Sequence, residues 1–159
     1  MPLSDQETIP IREKVKVSAL INKLKERVRI DFKACTSASH AEDKYVVEAD
    51  LHRPGLALAG YVDLFTYQRI QIIGNTESHF LSNLKKEDRF KAFENLVSFD
   101  LPVIFLTDNN ELPKKLLEMA ENRKIPVFST SMQTTKFMYL LRDFLEDYFA
   151  LQTMLHGTM

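Results

Sequence analysis

Pro102-Val103-Ile104-Phe105-Leu106 is almost wholly apolar and runs into the polar string Thr107-Asp108-Asn109-Asn110. Apolar residues at successive positions, and not only at alternate ones, mark a strand covered by helices on both faces. Two more strands lie on either side of it in the chain. Arg69-Ile70-Gln71-Ile72-Ile73 stops at Gly74, and Val127-Phe128-Ser129 follows Ile125-Pro126. Helical spacing fills the gaps, over 77–84, over 87–97 where Phe90, Phe93, Leu96 and Val97 share a face, and over roughly 112–122. A long helix over about 134–150 closes the series. Strand-helix-strand-helix-strand at this spacing implies parallel pairing through right-handed crossovers. The fold expected is α/β: a single-domain sandwich with a small, mainly parallel sheet.

Working outward, the first half reads as mixed strands with one helix. Val15–Ser18 suits a short strand, followed by a helix with Leu20, Ile21, Leu24 and Val28 on one face. Arg29-Ile30-Asp31-Phe32-Lys33 alternates polar and apolar, as a half-buried strand does. Residues 35–43 read as a loop, and Tyr45-Val46-Val47-Glu48-Ala49 as a strand stopped before Pro54. The expected organisation is a lead-in over 1–14, the α/β domain over 15–150, and a linker over 151–159.

Composition removes several functional classes. The 159 residues carry 21 basic and 22 acidic side chains, which disfavours nucleic acid or a polybasic membrane contact. The four glycines, Gly55, Gly60, Gly74 and Gly157, cannot form GxGxxG or GxxxxGK[ST]. A lone cysteine, Cys35, makes no internal disulfide and suits a reducing, cytoplasmic setting. His40, His52, His79 and His156 lack metal-ligand spacing, so no metal or bound cofactor is expected. The first residues have no signal-peptide pattern, and no apolar run reaches the roughly 18 residues that a membrane span needs.

In open α/β sheets ligands bind beyond the carboxyl ends of the strands. Here those ends hold Gly74, Asn75, Thr76 and Glu77, then Asn109, then Ser131 and Thr134, each group preceding a helix whose free N–H groups attract anions. The same residue types cap helices: Thr76, Asn109 or Asn110, and Thr134 stand where caps belong. Asp50 and His52 share one side of an extended segment and form the sole candidate for a general base. No nucleophile is tied to them. Arg53 and Gln71 either contact a ligand or tie a loop to strand ends through backbone carbonyls. On the last helix Phe137, Leu140, Leu141, Phe144 and Tyr148 make one apolar stripe. Met138, Leu145 and Phe149 widen it, either inside the core or as a docking face for a partner. The apolar tail after Leu151 has the look of an interrupted strand.

Arg53-Pro54-Gly55-Leu56 through Gly60-Tyr61, and Arg69-Ile70-Gln71 with Gly74 and Glu77, together resemble the N-terminal domain of bacterial HPr kinase/phosphorylase. Ile125-Pro126-Val127, Thr134-Thr135 and the closing His156-Gly157 extend the likeness over roughly 15–157. The resemblance implies a fold akin to a Mur ligase domain. It also implies a parent that phosphorylates a serine of the phosphocarrier protein HPr and removes the phosphate by phosphorolysis. ATP and magnesium would serve a C-terminal kinase domain that this chain lacks, in a hexamer built from those domains. That reaction would regulate carbohydrate use. Partners implied are the chain's own kinase domain, neighbouring subunits and HPr. No catalytic residue carries over. The chain is thus expected to be a non-catalytic regulatory or structural domain, the alternative being a free-standing sensor of a small anionic molecule.

Overall fold

The computed structural model describes residues 14–157, with side chains described for 14–150. The expected lead-in therefore lies, apart from Lys14, outside the described residues.

Three apolar runs form the sheet's centre. Strands β5 (Ile70–Ile73), β6 (Ile104–Leu106) and β7 (Val127–Ser129) pair in parallel, with Ile72 opposite Phe105 and Phe105 opposite Phe128. β4 (Leu51–His52) adds in parallel to β5, and β2 (Lys33–Ala34) pairs antiparallel with β7. The order across the sheet is β2-β7-β6-β5-β4. A separate ribbon joins β1 (Val15–Lys16) to β3 (Tyr45–Val46), antiparallel.

Alternation across the pleat sends side chains into two cores. Ile70, Ile72, Phe105 and Phe128 face helix α1 (Val17–Lys23) and helix α6 (Thr134–Gly157). Ile73, Ile104, Leu106 and Val127 face the other way. There they meet α2 (Gly55–Leu58), α3 (Asn75–Ser82), α4 (Lys86–Val97) and α5 (Lys114–Asn122). Helices on both faces explain why the strands are apolar throughout.

Helix ends are closed by long cations. Arg89 donates from Nε to Leu81 O at 2.9 Å and from Nη2 to Leu84 O at 2.9 Å, satisfying one carbonyl in the last turn of α3 and one just beyond it. Arg123 does the same for Val97 O at the end of α4. Lys124, at φ 59, stands just past α5 in the left-handed position that terminates helices. On the same turn Glu121 accepts from Ser37 N–H at 2.8 Å, Ser37 Oγ at 2.7 Å and His40 Nε2 at 2.9 Å. These donors, the serine hydroxyl first, hold its carboxyl down at about 2 against an ordinary 4.5. The folded chain then binds fewer protons than the unfolded one in that window, so the latch's contribution is lost as pH falls from about 4.5 towards about 2. Acid titrations followed by circular dichroism should show Glu121→Gln flattening that limb relative to the parent chain, by a modest amount because the carboxylate is partly solvated. Identical acid limbs would refute the latch.

Several expectations shift. Residues 29–32 are not strand: α1 widens into a π turn over Leu24–Val28, and Arg29 ends it at φ 63. The alternation there reflects core burial of Ile30 and packing of Phe32, while the ladder begins at Lys33. Within 45–49 only Tyr45–Val46 pairs, and β4 at Leu51–His52 is an additional strand. The apolar tail is no interrupted strand either. α6 continues through it to Gly157 and so spans 24 residues. Leu145, grouped with a docking face, has 0% exposure and lies in the core with Phe137 and Leu141. Met138 and Phe149 are half-buried against that same core. The wide stripe is wide because α6 is wrapped by α1 and the sheet.

Candidate functional site

The carboxyl ends of β5, β6 and β7 meet at one edge, as the sheet order requires. Each polar loop there is already engaged by the chain itself. After β5, Gly74 N–H donates to Glu77 Oε1 at 2.9 Å, so the carboxylate three residues on closes the start of α3. Glu77 is only 4% exposed and is held by Arg53, whose Nη2 lies 2.7 Å and Nε 3.1 Å from its oxygens. Gly74 is a packing requirement. A Cβ there would stand 2.7 Å from Thr134 Oγ1 and 3.0 Å from Arg53 Nη2.

After β6, Asp108 and Asn109 adopt left-handed backbones at φ 55 and 59, which Asp and Asn tolerate best among non-glycine residues. Their N–H groups donate to Met132 O at 2.8 Å and Thr130 O at 3.1 Å, pinning this loop to the next. The twist aims Asp108 Oδ2 at the first turn of α6, where it accepts from Thr134 N–H at 3.1 Å and Thr134 Oγ1 at 2.8 Å. Thr107 Oγ1 completes the relay, 2.6 Å from Thr134 Oγ1. Asn110 Nδ2 bridges to Asn75 Oδ1 at 2.9 Å and Thr107 O at 2.7 Å. After β7, Ser131 donates through N–H and Oγ to Asp31 at 3.1 and 2.8 Å, and Thr130 adds a longer bond. The Ser131 donors hold the Asp31 carboxyl below its usual range.

The structure thus brings Gly74, Asn75, Glu77, Asn109 and Thr134 together, with Ser131 one loop further along. Thr76 is exposed and caps nothing. Gly74 with Glu77 closes α3, and α6 is capped by Gln133 Oε1, which accepts from Lys136 N–H at 2.9 Å, together with Asp108 from across the edge; Pro113 before α5 makes no side-chain cap bond. The starts of α3 and α6 carry the chain's own carboxylates, Glu77 and Asp108, so a phosphate added at either would face like charge where the helix would otherwise attract it; α5 has no acidic residue in its first turn. That geometry does not fit a nucleotide phosphate cradle.

Beside the network the surface is concave. An open depression of about 750 Å³ is lined by Asn75, Thr76, His79 and Asn110 among others. A deeper groove of about 450 Å³ has Lys33, Asn109, Asn110 and Ser129 at its walls and Cys35, Leu106, Leu112 and Leu117 as apolar lining.

The other candidates take structural positions. Asp50 turns to Arg142 at 2.9 Å and Arg69 at 3.7 Å, while the His52 ring packs 5.4 Å from that of Phe65. Burial holds the His52 imidazole below its ordinary pKa, and the Arg69 charge adds to that. No general-base pair forms. Gln71, fully buried, donates from Nε2 to Thr66 O at 3.1 Å and Arg69 O at 2.9 Å, the loop-tying role. Arg69 itself donates to Glu48 at 3.0 Å. Pro54 precedes α2 and Gly60, at φ 105, ends it; nothing in the structure requires glycine at Gly55, where a Cβ meets open space. His156 and Gly157 fall on the last turn of α6. Among the described residues no three His, Cys, Asp or Glu side chains form a metal-binding group, and no helix is long and apolar enough to cross a membrane.

Comparison with known proteins places this arrangement. A family model described as HPr Serine kinase N terminus matches residues 15–145. The HPr kinase/phosphorylase of Pelodictyon phaeoclathratiforme is 44% identical over 155 residues, which is 98% of this chain and 46% of the relative. That of Prosthecochloris aestuarii is 52% identical over 118 residues, 74% of this chain and 35% of the relative. The chain spans less than half the length of the curated relatives it matches. Among solved structures, the CBS and DRTGG domains of the regulatory region of Clostridium perfringens pyrophosphatase, complexed with the activator diadenosine tetraphosphate, align with a TM-score of 0.56. That alignment has 15% identity and covers 84% of this chain and 49% of the other, a likeness of fold. With its motif residues Arg53, Gly60, Arg69, Gln71 and Glu77 holding the loops around the sheet edge, this chain belongs to the HPr Serine kinase N terminus family.

Proposed function

We propose that this chain is the non-catalytic, regulatory or structural N-terminal domain of an HPr kinase/phosphorylase. The parent would transfer phosphate from ATP to a serine of HPr and reverse it by phosphorolysis, in the cytoplasm, to control carbon use. One observation carries the reading: a family model described as the N terminus of that kinase matches residues 15–145. ATP and magnesium would be held by the half beyond this domain, since the starts of α3 and α6 at the present edge already carry Glu77 and Asp108. The test is to remove residues 1–157 from the longer protein and assay HPr phosphorylation with radiolabelled ATP. The chemical step should survive, with altered response to metabolites or altered assembly. Loss of transfer by a remaining half that still folds would move the catalytic machinery into this domain.

A second reading, a small-molecule sensor, has the groove of about 450 Å³ in its favour. The carboxylates at the edge suit an uncharged polar ligand better than the anion first expected. A thermal-shift screen of sugars and phosphorylated sugars should then give stabilisation that grows with ligand concentration. Lys33→Ala, Asn109→Ala and Asn110→Ala combined, all on the groove's wall, should abolish it. A shift that survives all three substitutions places the ligand elsewhere.

A further inference from the structure

Six of the eight large apolar side chains exposed among the described residues fall on two short segments: Tyr45 and Val47, and Leu56, Tyr61, Leu64 and Tyr67. A cavity of about 290 Å³ joins the segments, since Tyr45, Val47 and Tyr67 line it together. Scattered exposed apolar residues need no explanation, but clustered ones mark interaction surfaces.

Leu64 is held out deliberately. It is 94% exposed at φ 62, a left-handed backbone that is costly for a branched side chain and persists only where surroundings enforce it. The enforcement is visible. Buried Gln71 grips the loop from below through Thr66 O and Arg69 O, Glu48 takes Gln68 and Arg69 from the side, and Gly60 turns the chain into it. The motif residues Gly60, Arg69 and Gln71 thus fix the two ends of the loop that carries Tyr61, Leu64 and Tyr67. Gln71 keeps its Oε1, and Thr66 its Oγ1, buried without a partner among the described residues, a further sign that this loop's shape is maintained at a cost.

We propose that the strip formed by residues 45–47 and 56–67 is the surface on which the remainder of the full-length protein docks. This rests on the reading that the protein has the second half its relatives have. More than half of the Pelodictyon phaeoclathratiforme relative lies beyond the matched portion, which covers 46% of it. That polypeptide is the covering surface the length of the relatives supplies. Charge at the strip is mixed. Asp43 and Asp63 are exposed with no cationic partner among the described residues, while Lys14 Nζ lies 4.5 Å over the Tyr45 ring and Lys44 pairs with Asp100, so the incoming surface should be chiefly apolar.

Hydroxyl-radical footprinting tests this on the longer protein and on the present chain. Oxidation of Tyr61, Leu64 and Tyr67 should be slower in the longer protein by roughly fivefold, as for side chains taken into a dry interface core. Leu64→Asp should restore the reactivity of Tyr61 and Tyr67 there while leaving the melting of the isolated chain unchanged. Equal rates in the two proteins would overturn the proposal. So would protection that rises with concentration in the isolated chain, which would assign the strip to a second copy. HPr phosphorylation by the same preparation reports separately on the parent's activity, so an active enzyme with an unprotected strip refutes the docking alone.

Discussion

Phe105→Ala is expected to lower the stability of the domain by about 3–5 kcal/mol. Phe105 is fully buried on the central strand β6. Its ring lies 5.2 Å from that of Phe137, 5.4 Å from Phe32 and 6.4 Å from Phe128, so it joins helix α6, the segment after α1 and strand β7 in one cluster. Truncation loses the transfer energy of the ring and leaves a cavity walled by rigid neighbours. Domains of this kind have only about 5–15 kcal/mol in total, so the loss is a large share. Urea melts followed by circular dichroism provide the check, with Phe105→Leu as the volume-sparing control that should lose much less. A loss under about 1 kcal/mol for the alanine variant would mean that this ring does not hold the core between the sheet, α1 and α6 together.

Arg53→Ala should cost about 2–3 kcal/mol, below the usual 3–5 for breaking a buried pair, because the Arg53 side chain is itself 35% exposed. What remains is a Glu77 carboxylate at 4% exposure with Gly74 N–H as its donor. The cost is therefore that of a buried charge left behind, not that of a lost surface contact. Glu77→Gln in the Arg53→Ala background should recover part of the loss, and the double-mutant cycle isolates the pair's coupling. Strictly additive losses would show that Arg53 acts through packing alone.

The parallel core was legible in the sequence because its signal is local. Ile70–Ile73, Val103–Leu106 and Val127–Phe128 are apolar runs between helical stretches, and such runs permit few topologies. Two-residue strands such as Leu51–His52 and Lys33–Ala34 were not, since a pair of residues has no periodicity to read. The alternation at 29–33 misled because burial on an irregular segment imitates a pleat. At the edge the residue types were legible and their partners were not. Arg53 and Glu77 stood in the same motif 24 positions apart, and Asp108 meets Thr134 across 26, distances at which spacing says nothing about contact. The Asp108-Asn109 pair carried one usable hint, its tolerance of left-handed backbone, which is what turns the carboxylate towards α6.

On the proposed reading this domain contributes nothing to phosphate transfer by itself. The direct measurement incubates the isolated chain with HPr, magnesium and radiolabelled ATP, and follows serine-phosphorylated HPr over time beside the longer protein. The expected result is label on HPr only with the longer protein, the isolated chain staying at the rate of the mixture without it. Label transferred by the isolated chain, and abolished by Asp50→Asn or His52→Asn, would place phosphate transfer within this domain.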